Sequence, residues 1–187
     1  MNDTVISPTG KELRRVGKRT TTRKEDSAAK QLRVVSAQNA RRTENLAYLN
    51  DPNVKAFLYM IQKSEGGDYH AMYGWIRGRN GWTFTDESTH PGLGKDGSTT
   101  AAGMYQINKA CWTQMGIRAQ GLTDFSPQTQ DLIAVENLRA FKCLDLIIAG
   151  NIETPIKILA PAQWSSFQKH TYAVLKAWFV EGGGTVK

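Results

Sequence analysis

Cysteine and histidine are scarce in this sequence, which has two Cys and three His among its 187 residues. Cys111 and Cys143 fall in segments that we predict to be helical, and no nearby His is placed to activate either thiol, so we interpret them as buried free cysteines. His70, His90 and His170 are far apart and lack the spacing of metal ligands. We therefore expect no cysteine nucleophile, no metal site and no cofactor.

A long apolar segment is also absent. The first residues lack the continuous apolar run of a secretory signal, and no stretch is long enough to span a bilayer. We expect the protein to stay in the cytoplasm of the cell that makes it, unless another component carries it out.

Positive charge is abundant but lies mainly at one end of the chain. The net charge is +7, and residues 1–50 contribute +6 of it through 11 Lys and Arg against 5 Asp and Glu. Residues 51–187 are almost neutral, and we do not expect this part of the chain to bind nucleic acid.

Residues 1–50 have the composition of an arm rather than of a folded domain. Residues 1–24 have too few apolar side chains to form a core, whereas residues 25–49 contain no Gly or Pro and predict a helix with little to pack on. This basic arm is either a solvated, disordered segment or an adaptor that orders against nucleic acid, an acidic surface or a partner protein. Residues 51–187 form the predicted folded domain.

The stretch from Val54 to Gly67 carries the clearest chemical signal. Its apolar helix face ends on a carboxylate, because the position one turn after Ile61 on that face is Glu65. Gly66 and Gly67 then predict the end of the helix. The apolar face consists of Val54, Phe57, Leu58 and Ile61.

The position of Glu65 favours a carboxyl group that keeps its proton. Apolar surroundings and the negative end of the helix dipole both disfavour the ionised form, so we expect the pKa of Glu65 to be raised. A carboxyl group that is protonated near neutral pH is typical of a general acid. The alternative is a glutamate at a helix end that turns outward to water.

The other segments predict an α+β domain that is mostly α, with one small β-hairpin and a central buried helix. The hairpin is predicted for residues 71–76 and 81–85, joined by a turn at 78–81. Helix is predicted to resume near Ser98, and the longest helix to run from Ser126 to Ile148 through the core. Two further helices are predicted over residues 152–159 and 164–180.

Five segments occur in an order that resembles one enzyme family. They are KAFL with SEG (55–66), FTDESTHP (84–91), GSTTAAGMYQI (97–107), LTDFSPQTQD (122–131) and EGGGT (181–185). Together they cover about residues 53–185 and resemble the lambda-type phage lysozymes, peptidoglycan-cleaving enzymes with a lysozyme-like fold. Residues 1–50 have no counterpart in the short members of that family.

The resemblance implies a lytic transglycosylase that cleaves the β-1,4 bond between N-acetylmuramic acid and N-acetylglucosamine. It makes Glu65 the catalytic acid, which then acts as a base on the muramic 6-hydroxyl and yields a 1,6-anhydro product. This reaction needs one carboxyl group, which acts first as an acid and then as a base, whereas ordinary glycosidases need two carboxyl groups. Asp86 is the best candidate for a second carboxylate, and is otherwise a structural or sugar-binding residue.

The same resemblance implies a set of residues that contact sugar. They are Asp86, Ser98, Thr99, Thr100, Tyr105, Gln106 and Trp164. A Tyr at a half-apolar position is also typical of a core, and small polar residues are also typical of an ordinary loop. Residues 159–164 replace a Gly-rich aromatic loop of the family. Trp164 or Phe167 is a candidate to supply the aromatic sugar contact of that loop.

Two other functions are compatible with the sequence: a muramidase that uses water as the nucleophile, and a non-enzymatic wall-binding component of the virion.

Three routes by which the protein reaches the wall are also compatible with the sequence. The protein reaches the periplasm after a holin opens the membrane, or it travels in the virion bound to other virion proteins through residues 1–50. Alternatively, the basic arm retains it electrostatically at an anionic envelope.

Overall fold

The computed structural model describes residues 5–6, 12–13, 27–79 and 81–187. Its contacts divide the chain into two units, Met1–Val34 and Val35–Lys187. In the first unit, strand β1 (Val5–Ile6) pairs antiparallel with strand β2 (Glu12–Leu13). The rest of the predicted basic stretch of residues 1–24 lies outside the described residues.

Helix α1 (Ser27–Tyr48) lies where residues 25–49 predict a helix. Its C-terminal half belongs to the second unit and is fixed there by buried polar contacts. The Asn45 amide donates to Gln120 Oε1 at 2.9 Å and to Glu136 Oε2 at 2.7 Å. This half of α1 falls in the predicted arm, yet it packs on the rest of the second unit.

Helix α2 (Pro52–Glu65) has clear start and stop signals. The Asp51 carboxylate caps it by accepting two backbone N–H groups, at 2.9 and 3.0 Å. Gly66 has a φ of 63°, the left-handed conformation that ends many helices, and its N–H donates to the Gln62 carbonyl oxygen. The predicted apolar face is buried, so the predicted helix and its end at Gly66 are confirmed.

Further helices follow α2, and α4 (Pro127–Ala140) is one of them. Most residues of α4 are buried, as predicted for a central helix. A 3-10 turn separates the last two α-helices. In chain order these elements are α3 (Lys109–Cys111) continuing as a π-helical stretch (Trp112–Arg118), α4 (Pro127–Ala140), α5 (Leu144–Ile148), α6 (Glu153–Ala162), the 3-10 turn (Ser165–Lys169) and α7 (Tyr172–Glu181).

Two predicted helices are each divided. The helix predicted from Ser126 to Ile148 is interrupted between α4 and α5, where Lys142 has a left-handed φ of 57°. It is therefore not the longest helix, since α4 has 14 residues and α1 has 22. The helix predicted over residues 164–180 is the 3-10 turn followed by α7, because His170 adopts an extended conformation between them.

The predicted hairpin of residues 71–85 is not confirmed. The two predicted strands meet only in an isolated antiparallel bridge between Ala71 and Thr83. Ala102 forms similar bridges with Met72 and Ile107. Asn80, in the predicted turn, lies outside the described residues.

The helix predicted to resume near Ser98 begins only at Lys109. The Asp96 carboxylate accepts the backbone N–H groups of Ser98 and Thr99, at 3.0 and 2.8 Å. Such a side-chain turn competes with a helix start. The described chain is thus mostly α, as predicted, and none of its helices is both long and apolar enough to cross a membrane.

Candidate active site

Glu65 is the last residue of α2 and lies half-buried at the end of its apolar face. Its Oε1 accepts a hydrogen bond of 2.5 Å from Oγ of Ser166, on the 3-10 turn. Ser64 Oγ in turn donates to Ser166 Oγ at 2.8 Å. No ion pair within the described residues involves the Glu65 carboxylate.

Opposing influences act on the proton of Glu65. Burial is the largest and raises the pKa of Glu65, because the charged form loses hydration. The hydrogen bond from Ser166 and the positive charge of Lys169 lower this pKa by stabilising the carboxylate. Burial prevails, so Glu65 holds its proton to a higher pH than an exposed glutamate does.

A half-buried polar network ties α2 to α4 one turn before Glu65. Gln62 Nε2 donates to Tyr105 Oη at 2.9 Å, and Tyr105 Oη donates to Asp131 Oδ1 at 2.6 Å. Tyr69 Oη donates to the same carboxylate oxygen at 2.8 Å. Burial raises the pKa of Tyr69 to about 12, so its phenol stays a hydrogen-bond donor at neutral pH. The network fixes the helical turn from which Glu65 projects.

Tyr105 and Trp164 are both predicted sugar contacts, and both are buried, with 1% of each exposed. Trp164 Nε1 donates to the Tyr105 carbonyl oxygen at 3.1 Å. Neither ring presents a face to a ligand, so the geometry does not support these two residues as sugar contacts. Gln106 is half-buried, with a φ of 50°, and its amide donates to the Gly103 carbonyl oxygen at 3.1 Å.

The three hydroxyl residues of the predicted sugar-binding loop hold the loop itself. Ser98 and Thr99 donate their hydroxyl hydrogens to Asp96 Oδ2, at 2.9 and 2.5 Å. Thr100 Oγ1 accepts the backbone N–H of Lys109 at 3.1 Å. These bonds explain the shape of the loop without a ligand.

Asp86 has the surroundings of a turn residue. It is exposed, its carboxylate accepts the backbone N–H of Ser88 at 2.8 Å, and hydrogen bonds from Ser88 lower its pKa. Glu87 Oε1 lies 2.7 Å from His70 Nε2. Neither carboxylate has the half-buried, unpaired setting of Glu65.

A cavity of about 350 Å³ opens beside the C-terminal end of α2. Gly67 forms part of its wall, and a Cβ there would lie 2.9 Å from the Met104 carbonyl oxygen, so this close approach requires glycine. The lining combines apolar, polar and cationic side chains: Tyr59, Gln62, Lys63, Gly66, Gly67, Arg77 and Met104.

The two cysteines are free, with Cys143 buried and Cys111 half-buried. Burial raises the pKa of both thiols, which favours the unreactive neutral form. In the part of the chain that the structure describes, no group of three or more His, Cys, Asp or Glu is placed to hold a metal ion.

Three of the residues around Glu65 were not predicted from the sequence. Ser64 and Gln62 are its neighbours on α2, so the helix prediction alone could have pointed to them. Ser166 lies 101 positions further along the chain. It lies outside the five segments that carry the family resemblance, so those segments offer no signal for this contact.

Comparisons with known proteins agree on one family. The family model described as Endolysin matches residues 55–186. The chain is 35% identical over 149 residues to the endolysin of Escherichia phage lambda, covering 71% of this chain and 92% of that protein. It is 35% identical over 121 residues to the endolysin of Escherichia phage P2, covering 56% of this chain and 73% of that protein. No solved structure matches the chain.

Proposed function

The chain belongs to the phage endolysin family, as its five sequence segments indicate, and from this premise we propose that it is a lytic transglycosylase of peptidoglycan. Glu65 carries the reaction. The observation that supports this role is a half-buried carboxyl group whose pKa is raised by burial and which has no ion-pair partner within the described residues.

In the first step, Glu65 acts as a general acid. Its proton passes to the oxygen that joins N-acetylmuramic acid to N-acetylglucosamine, and the bond from that oxygen to the muramic C1 breaks. N-acetylglucosamine leaves with a free 4-hydroxyl. The hydrogen bond from Ser166 and the charge of Lys169 stabilise the Glu65 carboxylate that remains.

In the second step, the same carboxylate acts as a base. The 6-hydroxyl of the muramic residue attacks C1, and Glu65 removes its proton. A bond between C1 and O6 forms, which gives the 1,6-anhydro sugar and returns Glu65 to its protonated state. No water is consumed, so one carboxyl group completes the cycle.

A hydrolytic muramidase that uses water is the alternative reaction. Such enzymes usually employ a second carboxylate as a nucleophile or base. The sequence candidate Asp86 is exposed and ionised, and its neighbour Glu87 is engaged by His70. These surroundings favour the reaction with a single carboxyl group.

Mass spectrometry of muropeptides released from purified cell walls tests the proposal. We expect products lighter by one water molecule than reducing muropeptides, because the anhydro bond replaces the reducing end. Glu65→Gln should release none above background, whereas the same change at the exposed Glu153 should leave the products unaltered. Reducing ends in the wild-type products would overturn the transglycosylase reaction in favour of hydrolysis.

We also propose a role for the basic arm. The family match begins at residue 55, so residues 1–50 lie outside it. Their positive charge suits binding to another virion protein, which would carry the enzyme in the particle instead of leaving its release to a holin. Detection of the chain in purified virions supports this delivery, and its presence only in lysates of infected cells contradicts it.

A further inference from the structure

The hydrogen bonds around Glu65 have a defined direction. Ser166 Oγ accepts the hydrogen of Ser64 Oγ at 2.8 Å, and a serine hydroxyl has a single hydrogen to donate. That hydrogen points to Glu65 Oε1, 2.5 Å away. Oε1 is therefore the acceptor of a fixed donor, and Oε2 is the oxygen left for the acidic proton.

We propose that Ser166 is a positioning residue of the endolysin reaction, and that its hydroxyl assigns the transferable proton of Glu65 to Oε2. This inference rests on the proposed function. In both steps Oε2 is the atom that exchanges a proton with the glycan, while Oε1 stays bonded to Ser166. The carboxyl group therefore alternates between acid and base without rotating.

The 3-10 turn holds the Ser166 hydroxyl in place before any substrate arrives. Ser166 is only 5% exposed, and the neighbouring Phe167 is buried. The Phe167 ring meets the Phe57 ring of α2 edge to face, with 6.2 Å between their centroids, and lies 6.3 Å from the Trp164 ring. A donor fixed by such packing stabilises charge without having to reorganise during the reaction.

The charged surroundings fit this arrangement. Lys169, on the same 3-10 turn, is the charged group within the described residues whose field reaches Glu65. Ser166 and Lys169 both favour the carboxylate, whereas burial favours the neutral acid. Because burial and the two favourable contacts shift the pKa of Glu65 in opposite directions, neither its protonated nor its ionised form is strongly favoured over the other.

Ser166→Ala in the full chain is the decisive variant. Loss of the donor should raise the pKa of Glu65, which can be followed directly by NMR with glutamate labelled with 13C at the carboxyl carbon. The high-pH limb of the lytic rate should move to higher pH, since the acid stays protonated longer. We expect the maximal rate to fall about 10-fold through lost orientation of the carboxyl group.

Three further variants complete the test. Ser165→Ala removes a neighbouring exposed hydroxyl and should leave both the titration and the rate unchanged. Ser166→Thr keeps the hydroxyl and should restore the wild-type limb of the pH profile. Ser64→Ala should shift the titration in the same direction as Ser166→Ala but by less, and it provides the test if Ser166→Ala does not fold.

The sign of the titration shift decides the inference. An unchanged pKa of Glu65 in Ser166→Ala means that Ser166 only packs against α2, and a lowered pKa means that Glu65 donates to Ser166; each result overturns the assignment. This failure is distinguishable from failure of the proposed function. Reducing muropeptides would overturn the transglycosylase reaction while leaving the Glu65 titration as it is.

Discussion

At the scale of single residues, the environment of Glu65 combines effects that shift its pKa in opposite directions. Burial at the end of an apolar helix face favours the neutral acid, and a buried hydroxyl together with a lysine favours the ion. A carboxyl group in this balance suits a reaction in which it first gives a proton and then takes one.

Glu65→Gln should abolish lysis without abolishing binding to the wall. Removal of one general acid typically costs on the order of 100- to 10,000-fold in rate. The measurement is the clearing of a suspension of purified walls, with sedimentation of the protein with the walls as the binding assay. Full lytic activity of the variant would show that the protein uses another site, or that it is a non-enzymatic component and lysis has another source.

The same variant should change how stability depends on pH. The folded pKa of Glu65 is raised above its ordinary value of 4.5, so the folded state binds this proton more tightly. The resulting stabilisation is present below pH 4.5 and is lost as pH rises through the folded pKa. Urea unfolding should therefore show Glu65→Gln gaining stability relative to wild type as pH rises through that range.

Asp86→Asn is the matched control for this pH effect. The pKa of Asp86 is lowered, so its contribution has the opposite sign: it is present above the ordinary value of 3.8 and lost as pH falls. If both variants followed the same pH trend, the two carboxyl groups would not differ as described.

The apolar period predicted the helix face on which Glu65 lies, and that face is buried. The catalytic role of Glu65 stays a prediction. The burial of Tyr105 and Trp164 was not predicted, because a sequence motif does not show whether a ring faces solvent or the core. Nor was Ser166 predicted, because its contact with Glu65 depends on how the C-terminal segment folds back on α2.

At the scale of elements, α2 positions Glu65 through its two ends. Asp51 fixes where the helix begins, and the left-handed Gly66 stops it directly after the carboxylate. Open space surrounds the Cβ position of Gly66, so only the backbone conformation constrains that residue.

Gly66→Ala should destabilise the protein by about 1–2 kcal/mol, the cost of a left-handed conformation for a residue with a Cβ. Lytic activity should fall as well, because the strain relaxes by moving the last turn that carries Glu65. Gly66→Asn is the control, since Asn tolerates this conformation and should lose less stability. Equal losses in urea unfolding would mean that side-chain contacts rather than φ constrain this position.

The accuracy of the element predictions follows from the physics of each signal. Helix α2 was predicted from its apolar period and the two glycines that follow it. Helix α1 was predicted from an uninterrupted run without Gly or Pro. The break between α4 and α5 has no such signal, because Lys142 is an ordinary residue forced into a left-handed conformation. The predicted hairpin is not confirmed, because the aromatic content on which it was based does not require strands to pair over more than the single bridge between Ala71 and Thr83.

At the scale of the whole molecule, the part of α1 that belongs to the second unit is bonded to α4 and to Gln120. Asn45 donates to Gln120 and to the buried Glu136, and Arg41 lies 3.6 Å from the same glutamate. A buried carboxylate with these partners becomes costly when they are removed.

Two truncations should therefore behave differently. Deletion of residues 1–34 removes only the first unit and should leave stability and lysis close to wild type. Deletion of residues 1–48 removes the partners of Glu136 and should cost about 3 kcal/mol or more in urea unfolding. Asn45→Ala in the full chain, expected to cost about 1–3 kcal/mol, separates this contact from the loss of chain length. Equal stability of both truncations would contradict a structural role for this half of α1.

The mostly α architecture could be predicted from the sequence because it depends on local helix patterns. The family could be predicted because five short segments occur in a fixed order. The boundary of the arm was less accessible. Separate polar contacts hold the second half of α1: Gln38 donates to the Ile117 carbonyl oxygen, Arg41 lies close to Glu136, and the buried Asn45 donates to Gln120 and Glu136. Isolated polar residues of this kind leave no periodic pattern in the sequence.

The distance along the chain between Glu65 and Ser166 has a consequence for timing. When the ribosome has reached α4, it has already synthesised Glu65. It has not yet synthesised Ser166, the hydroxyl partner of Glu65, or Gly182, which packs against Tyr59 of α2. A half-made polypeptide therefore has no finished active site. The surroundings of Glu65 are therefore complete only late in synthesis, after the 3-10 turn and α7 have been made.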